Sequence, residues 1–198
     1  MDKLAFTIFG ALFSLFLVPM VEKKKAEFQC KKDLEMMFIE LGDLQSELTC
    51  HIESYFKFLL KIRQEPELTN SLAIPIPLSR DINVDILIEL YKNLALVLSR
   101  DQRLVVKRVP RNITLIMSHA QTAVSKLVDS DEYCIQSIKN TIKLSCKLVH
   151  ELNSINEQRE RYVDIYLDSQ GAMEPVLKSM GFTEEQLNIS TIRETHFV

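Results

Sequence analysis

The chain has 198 residues with 24 Lys and Arg against 27 Asp and Glu, and a net charge of −3 excludes general affinity for nucleic acid. Four Gly and six Pro leave too few turn formers for a strand-rich sandwich and nearly exclude a phosphate-cradling loop. With 46% apolar residues, one helical domain with a real core is the expectation.

The chain opens on LAFTIFGALFSLFLVPMV, Leu4 to Val21, eighteen residues without a charge. As a helix this run measures about 27 Å, close to the hydrocarbon thickness of a bilayer. It is apolar on every face, which suits lipid on all sides. A cleaved signal peptide fits less well. Lys3 is balanced by Asp2, no small-x-small site surrounds Pro19, and Glu22 is followed by Lys23, Lys24 and Lys25. Residues 1–21 are therefore expected to remain as a transmembrane anchor, touching the bilayer through residues 4–21. Lys31 and Lys32 add to the three lysines after the run, against Lys3 before it. That bias puts the N-terminus outside and the body in the cytoplasm, at the cell or inner membrane. The sequons at Asn112 and Asn188 would then be idle. The alternative is cleavage and a secreted or periplasmic helical domain.

Residues 22–170 read as an elongated helical bundle. The first helix carries Leu34, Leu41, Leu48, Tyr55 and Ile62 at intervals of seven, with Met37, Leu44, His51 and Phe58 three positions on. Phe38, Ile52 and Leu59 widen the stripe beyond the seam of a two-stranded coiled coil. The helix should end near residues 63–65, before Pro66. Residues 66–80, with Pro75 and Pro77, form a long loop. A second helix is expected over 83–107, buried through Ile86, Leu90, Leu94, Val97 or Leu98, and Leu104 or Val105. Pro110 suits the first turn of a third helix running to Val128, with Ile113, Ile116, Met117, Ala120, Val124 and Leu127 inward.

Ser130 then caps a long fourth helix, with Asp131 and Glu132 in its first turn. Its stripe runs Ile135, Ile138, Ile142, Val149, Leu152, Ile155, Tyr162 and Ile165, to a stop at Gln170–Gly171. The first and fourth helices are the two long ones and can pair antiparallel, within one chain or between two. Residues 171–198 are expected to form a short helix closed by Gly181, then a capping box from Thr183 to Gln186, then a tail.

Two groups of charges stand out. Arg100, Arg103, Lys107, Arg108 and Arg111 cluster where the second helix gives way to the third. They complement a helix C-terminus or form a patch for an anionic ligand or acidic partner. On the fourth helix Lys139, Lys143 and Lys147 stack one turn apart, and Glu157, Glu160, Asp164 and Asp168 follow. That is a solvated face or a bipartite surface for a partner helix. His51, with Glu47 one turn before it, reads as a satisfied polar group in the core. Cys30, Cys50, Cys134 and Cys146 lack CxxC spacing and read as buried, reduced thiols. Cys146 and His150 share a helix face, but spacing alone makes no metal site, and no metal or cofactor is implied. No catalytic signature is present. The functional expectation is a single-pass, membrane-anchored, non-enzymatic interaction, scaffold or regulatory protein. The alternative is a membrane effector or sensor whose bundle oligomerises or binds an anionic ligand.

Overall fold

The computed structural model describes residues 2–64, 82–126, 131–164 and 169–188. These form helices α1 (Asp2–Gln64), α2 (Asp85–Leu94), α3 (Arg100–Lys126), α4 (Asp131–Gln158), α5 (Ser169–Ser179) and α6 (Glu184–Asn188), with a 3-10 turn at Arg159–Arg161. Among the described residues there is no strand, so the all-α expectation holds. The expected loop 66–80, the Ser130 cap, Leu127, Ile165 and Asp168 lie outside the described residues.

Helix α4 is the centre of the bundle and packs against α1, α3 and α5. On α1, Gly42 approaches Asn156 and Phe38 lies under Arg159, while Tyr55 lies near Cys134. Rising numbers on α1 thus meet falling numbers on α4, and the two helices run antiparallel. Gln102 reaches Arg159 and Arg108 senses Glu151, so α3 is also antiparallel to α4. The start of α3, the end of α4 and the N-terminal side of α1 share one end of the bundle.

The core follows the α1 stripe. Met37, Leu41, Leu48, Ile52, Tyr55 and Leu59 are completely buried, and Leu44 and Phe58 nearly so. Ile116, Ala120, Ile138, Ile142, Leu152 and Ile155 answer from α3 and α4. Each such Leu or Ile contributes roughly 1.5–3 kcal/mol through burial. Leu98 and Val105 are the buried members of their pairs. Ile86 is exposed and Leu87 takes the inward place, because α2 starts at Asp85 with Leu87, Leu90 and Leu94 on one face.

Three boundaries differ from the sequence expectation. The second helix does not run to Lys107: it ends at Leu94, and α3 begins at Arg100. The cause is a capping box, in which Ser99 N–H donates to Gln102 Oε1 (2.8 Å) and Gln102 N–H donates to Ser99 Oγ (3.2 Å). Pro110 consequently lies inside α3 rather than at its start. The fourth helix stops at Gln158, not near Ser169, where Arg159 turns to φ +46° and Tyr162 becomes extended. Gln170 and Gly171 lie within α5 instead of ending a helix.

The C-terminal signals do act as expected. Gly181 at φ +77° closes α5, with Phe182 N–H donating to Leu177 O (2.9 Å) and Gly181 N–H to Lys178 O (3.1 Å). Thr183 and Gln186 exchange both bonds of their capping box. Phe182 then stacks on Phe56 with ring centres 4.2 Å apart, fastening the C-terminal segment to α1.

The N-terminal part of α1 leaves the bundle. Every described side chain from residue 13 to residue 29 is exposed, including Phe16 at 74% and Phe28 at 72%. Packing begins at Cys30 and Leu34. Among the described residues no helix is long and apolar enough to cross a membrane. The side chains of residues 1–12 and 14, more than half of the uncharged run, lie outside the described set.

Candidate functional site

The main polar cluster sits where the chain leaves α4 and passes α3. Arg108 Nη2 donates to both carboxylate oxygens of Asp164, at 2.8 and 2.9 Å. Tyr162 Oη donates to the same carboxylate at 3.3 Å, and Asp164 N–H donates to Asp101 Oδ2 at 3.3 Å. Gln102 Nε2 donates to Arg159 O at 2.8 Å. These bonds tie residues 159–164 to the first three turns of α3, so the extended link replaces the last turns expected of α4.

The electrostatics of the cluster follow from partial burial. Burial disfavours the Arg108 cation, but the bond to Asp164 and the fields of Glu151 and Asp164 outweigh it, so its pKa rises. Burial pushes the Glu151 carboxyl above its usual range, and Arg108 and Lys147 recover only part of the shift. Burial, then the Asp164 carboxylate, raises the Tyr162 phenol. Glu151 Oε2 and Arg108 Nε are buried without a hydrogen-bond partner.

The five cations predicted as one patch fall into three groups. Arg103 Nη1 donates to Ala95 O and Leu98 O, both at 3.1 Å, and so satisfies the C-cap carbonyl of α2 and a carbonyl of the turn that follows it. Arg108 is half-buried and committed to Asp164. Arg100, Lys107 and Arg111 are exposed on α3 at spacings of seven and four, which puts them on one face.

The predicted bipartite face of the fourth helix is interrupted. Lys139, Lys143 and Lys147 lie on α4, all half-buried. Of the acids, Glu157 is in the last turn of α4, Glu160 is in the 3-10 turn, and Asp164 has turned inward to Arg108. Asp168 lies outside the described residues. Lys and acid therefore do not form one continuous helical stripe, because α4 ends at Gln158.

A cleft of about 490 Å³ opens between α1 and the end of α4, lined by Lys31, Leu34, Glu35, Phe38 and residues 157–161. The Arg159 guanidinium lies 5.4 Å from the centre of the Phe38 ring in this cleft.

His51 is not the satisfied group expected, since Glu47 gives it no bond. Both ring nitrogens are buried without a partner, the ring lies 4.6 Å from Tyr55, and burial lowers its pKa to about 4. The thiols also divide. Cys134 and Cys146 are buried, and burial pushes Cys146 up to about 12, whereas Cys50 is exposed and Cys30 half-buried. Among the described residues no group of three His, Cys, Asp or Glu is placed to hold a metal ion.

The Arg108–Asp164 pair joins positions 56 apart, and nothing local in the sequence marks it. The capping box at Ser99 was visible as Ser-Arg-Asp-Gln. Comparison with protein families, with curated proteins and with solved structures yields no match to this chain.

Proposed function

We propose that the chain is a single-pass, membrane-anchored protein whose helical bundle serves on the cytoplasmic face as a non-enzymatic interaction or regulatory module. One observation carries the reading. Helix α1 continues from the bundle core into an arm whose described apolar side chains are exposed, and that arm is the end of the uncharged run Leu4–Val21. Water is a poor solvent for such a surface, and lipid is a good one. The lysines after Val21 give the orientation.

The exposed Cys50 supplies the test. A membrane-impermeant maleimide should label it only after cells are permeabilised, in a full-length band that resists carbonate extraction. A carbonate-soluble band, a shortened band, or labelling of intact cells would overturn the reading. A second reading, an anionic-ligand sensor, is favoured by the shared exposed face of Arg100, Lys107 and Arg111. It expects pyrophosphate binding by calorimetry that the triple Gln variant of these residues abolishes.

A further inference from the structure

We propose that the turn between α2 and α3 is a second membrane contact, an apolar tip that enters the interface of an anionic lipid surface; this rests on the anchored reading above. Leu96 is 96% exposed and Val97 is 54% exposed, while their neighbours Leu94 and Leu98 are buried. A turn of this kind ordinarily displays Gly, Asn, Asp or Ser. Here it displays two large aliphatic side chains.

The tip is held firmly. Val97 N–H and Leu98 N–H both donate to Leu94 O, at 2.9 and 3.0 Å. Arg103 grips the carbonyls of Ala95 and Leu98, and the Ser99–Gln102 box fixes the exit into α3. These bonds fix the backbone from which Leu96 and Val97 project.

Cations flank the tip. Lys92 in the last turn of α2 and Arg100 in the first turn of α3 are both exposed. Aliphatic side chains bracketed by Lys and Arg match the two layers of a bilayer interface, acyl boundary below and anionic headgroups above.

The turn is also at the correct end. It adjoins the end of α4, which meets α1 at Phe38, on the side from which the arm departs. Phe38 is seventeen residues beyond Val21, so an upright arm would hold this end about 25 Å from the hydrocarbon. Contact requires the bundle to lean. Pro19 lies inside α1 at the edge of the apolar run, where a missing N–H and a crowded ring allow a bend. A tilt of roughly 20°, the average for membrane helices, lowers a point about 25 Å up the axis by only about 1.5 Å, so the bend at Pro19 must supply most of the lean.

The test uses the full chain with Cys30→Ser and Cys50→Ser, carrying Leu96→Cys or Val18→Cys labelled with an environment-sensitive dye. The labelled proteins are placed in lipid nanodiscs containing brominated acyl chains, with or without phosphatidylglycerol. The dye at position 18 should be quenched in both discs. The dye at position 96 should be quenched only with the anionic lipid, and Lys92→Gln with Arg100→Gln should abolish that quenching. Quenching at 18 with none at 96 overturns the tip and leaves the anchor standing. Absence of quenching at both overturns the anchor as well. Equal quenching at 96 in the two discs overturns the role given to the cations. Protection of position 96 from aqueous iodide without bromolipid quenching means a protein covers the tip, which overturns the proposal.

Discussion

Replacing His51 with Leu should stabilise the bundle at neutral pH and remove much of its acid sensitivity. The neutral imidazole carries one donor and one acceptor, and neither nitrogen finds a partner. Each unsatisfied buried group costs roughly 1–3 kcal/mol. Leu deletes both and loses only the tilted contact with Tyr55, worth about 1 kcal/mol. A net gain of at least about 1 kcal/mol is expected at pH 7. The pH effect has a definite sign. The folded pKa is about 4 against an ordinary imidazole value of 6.5, so the unfolded chain takes the proton first. Stability from this group is full above 6.5 and is lost as pH falls toward 4. Between pH 7 and pH 4.5 the loss is about 2 kcal/mol. Urea unfolding of the full chain in detergent micelles, followed by circular dichroism at both pH values, measures it. The advantage of His51→Leu should widen by that amount on acidification. An unchanged advantage, or a variant less stable than wild type at pH 7, would refute the reasoning.

Glu151→Gln should act in the opposite direction. Burial raises the folded pKa of Glu151, so its carboxylate weakens the fold as pH rises through that value, and the variant should melt higher than wild type at pH 7 with the gap closing near pH 4. A gap that grows on acidification would show the carboxylate to be held by Arg108 after all. Ser99→Ala removes the cap of α3 and should cost about 1 kcal/mol, seen as a lower urea midpoint with unchanged slope. Gly42→Ala should add up to about 1 kcal/mol in the same assay, because a Cβ there meets only Asn156 Nδ2, at 3.7 Å, and Ala is the better helix former.

What the sequence made legible was local and periodic. The heptad stripe of α1, the closing Gly181 and the Thr183–Gln186 box each depend on residues within a turn or two of one another. The second and third helices were misdivided because Pro110 suits a first helical turn, while the cap at Ser99 went unread. The reciprocal bonds of Ser99 and Gln102, with Arg103 closing the helix before, outweighed a proline that costs one hydrogen bond within α3. The end of α4 carried no local warning. Arg159 has a left-handed backbone that Gly or Asn would normally announce, and it is held by Gln102 from another helix. The charged groups read as surface patches were sorted by distant partners. Asp164 turned from the supposed outer face to Arg108, and Arg103 turned to the end of α2.

Helix α1 is unbroken from Asp2 to Gln64, so no hinge of loop residues separates arm from bundle. The two are geared. Each residue added between Val21 and Cys30 rotates the bundle about the helix axis by about 100° and lifts it by about 1.5 Å. One inserted alanine would carry every face of α2 and α3 to a new azimuth, and a fourth would bring them nearly back. A module wired in this way has its orientation set by the phase of a helix, so a twist or piston applied to the arm beyond Pro19 reaches Tyr55 and Phe56 in the core without slack.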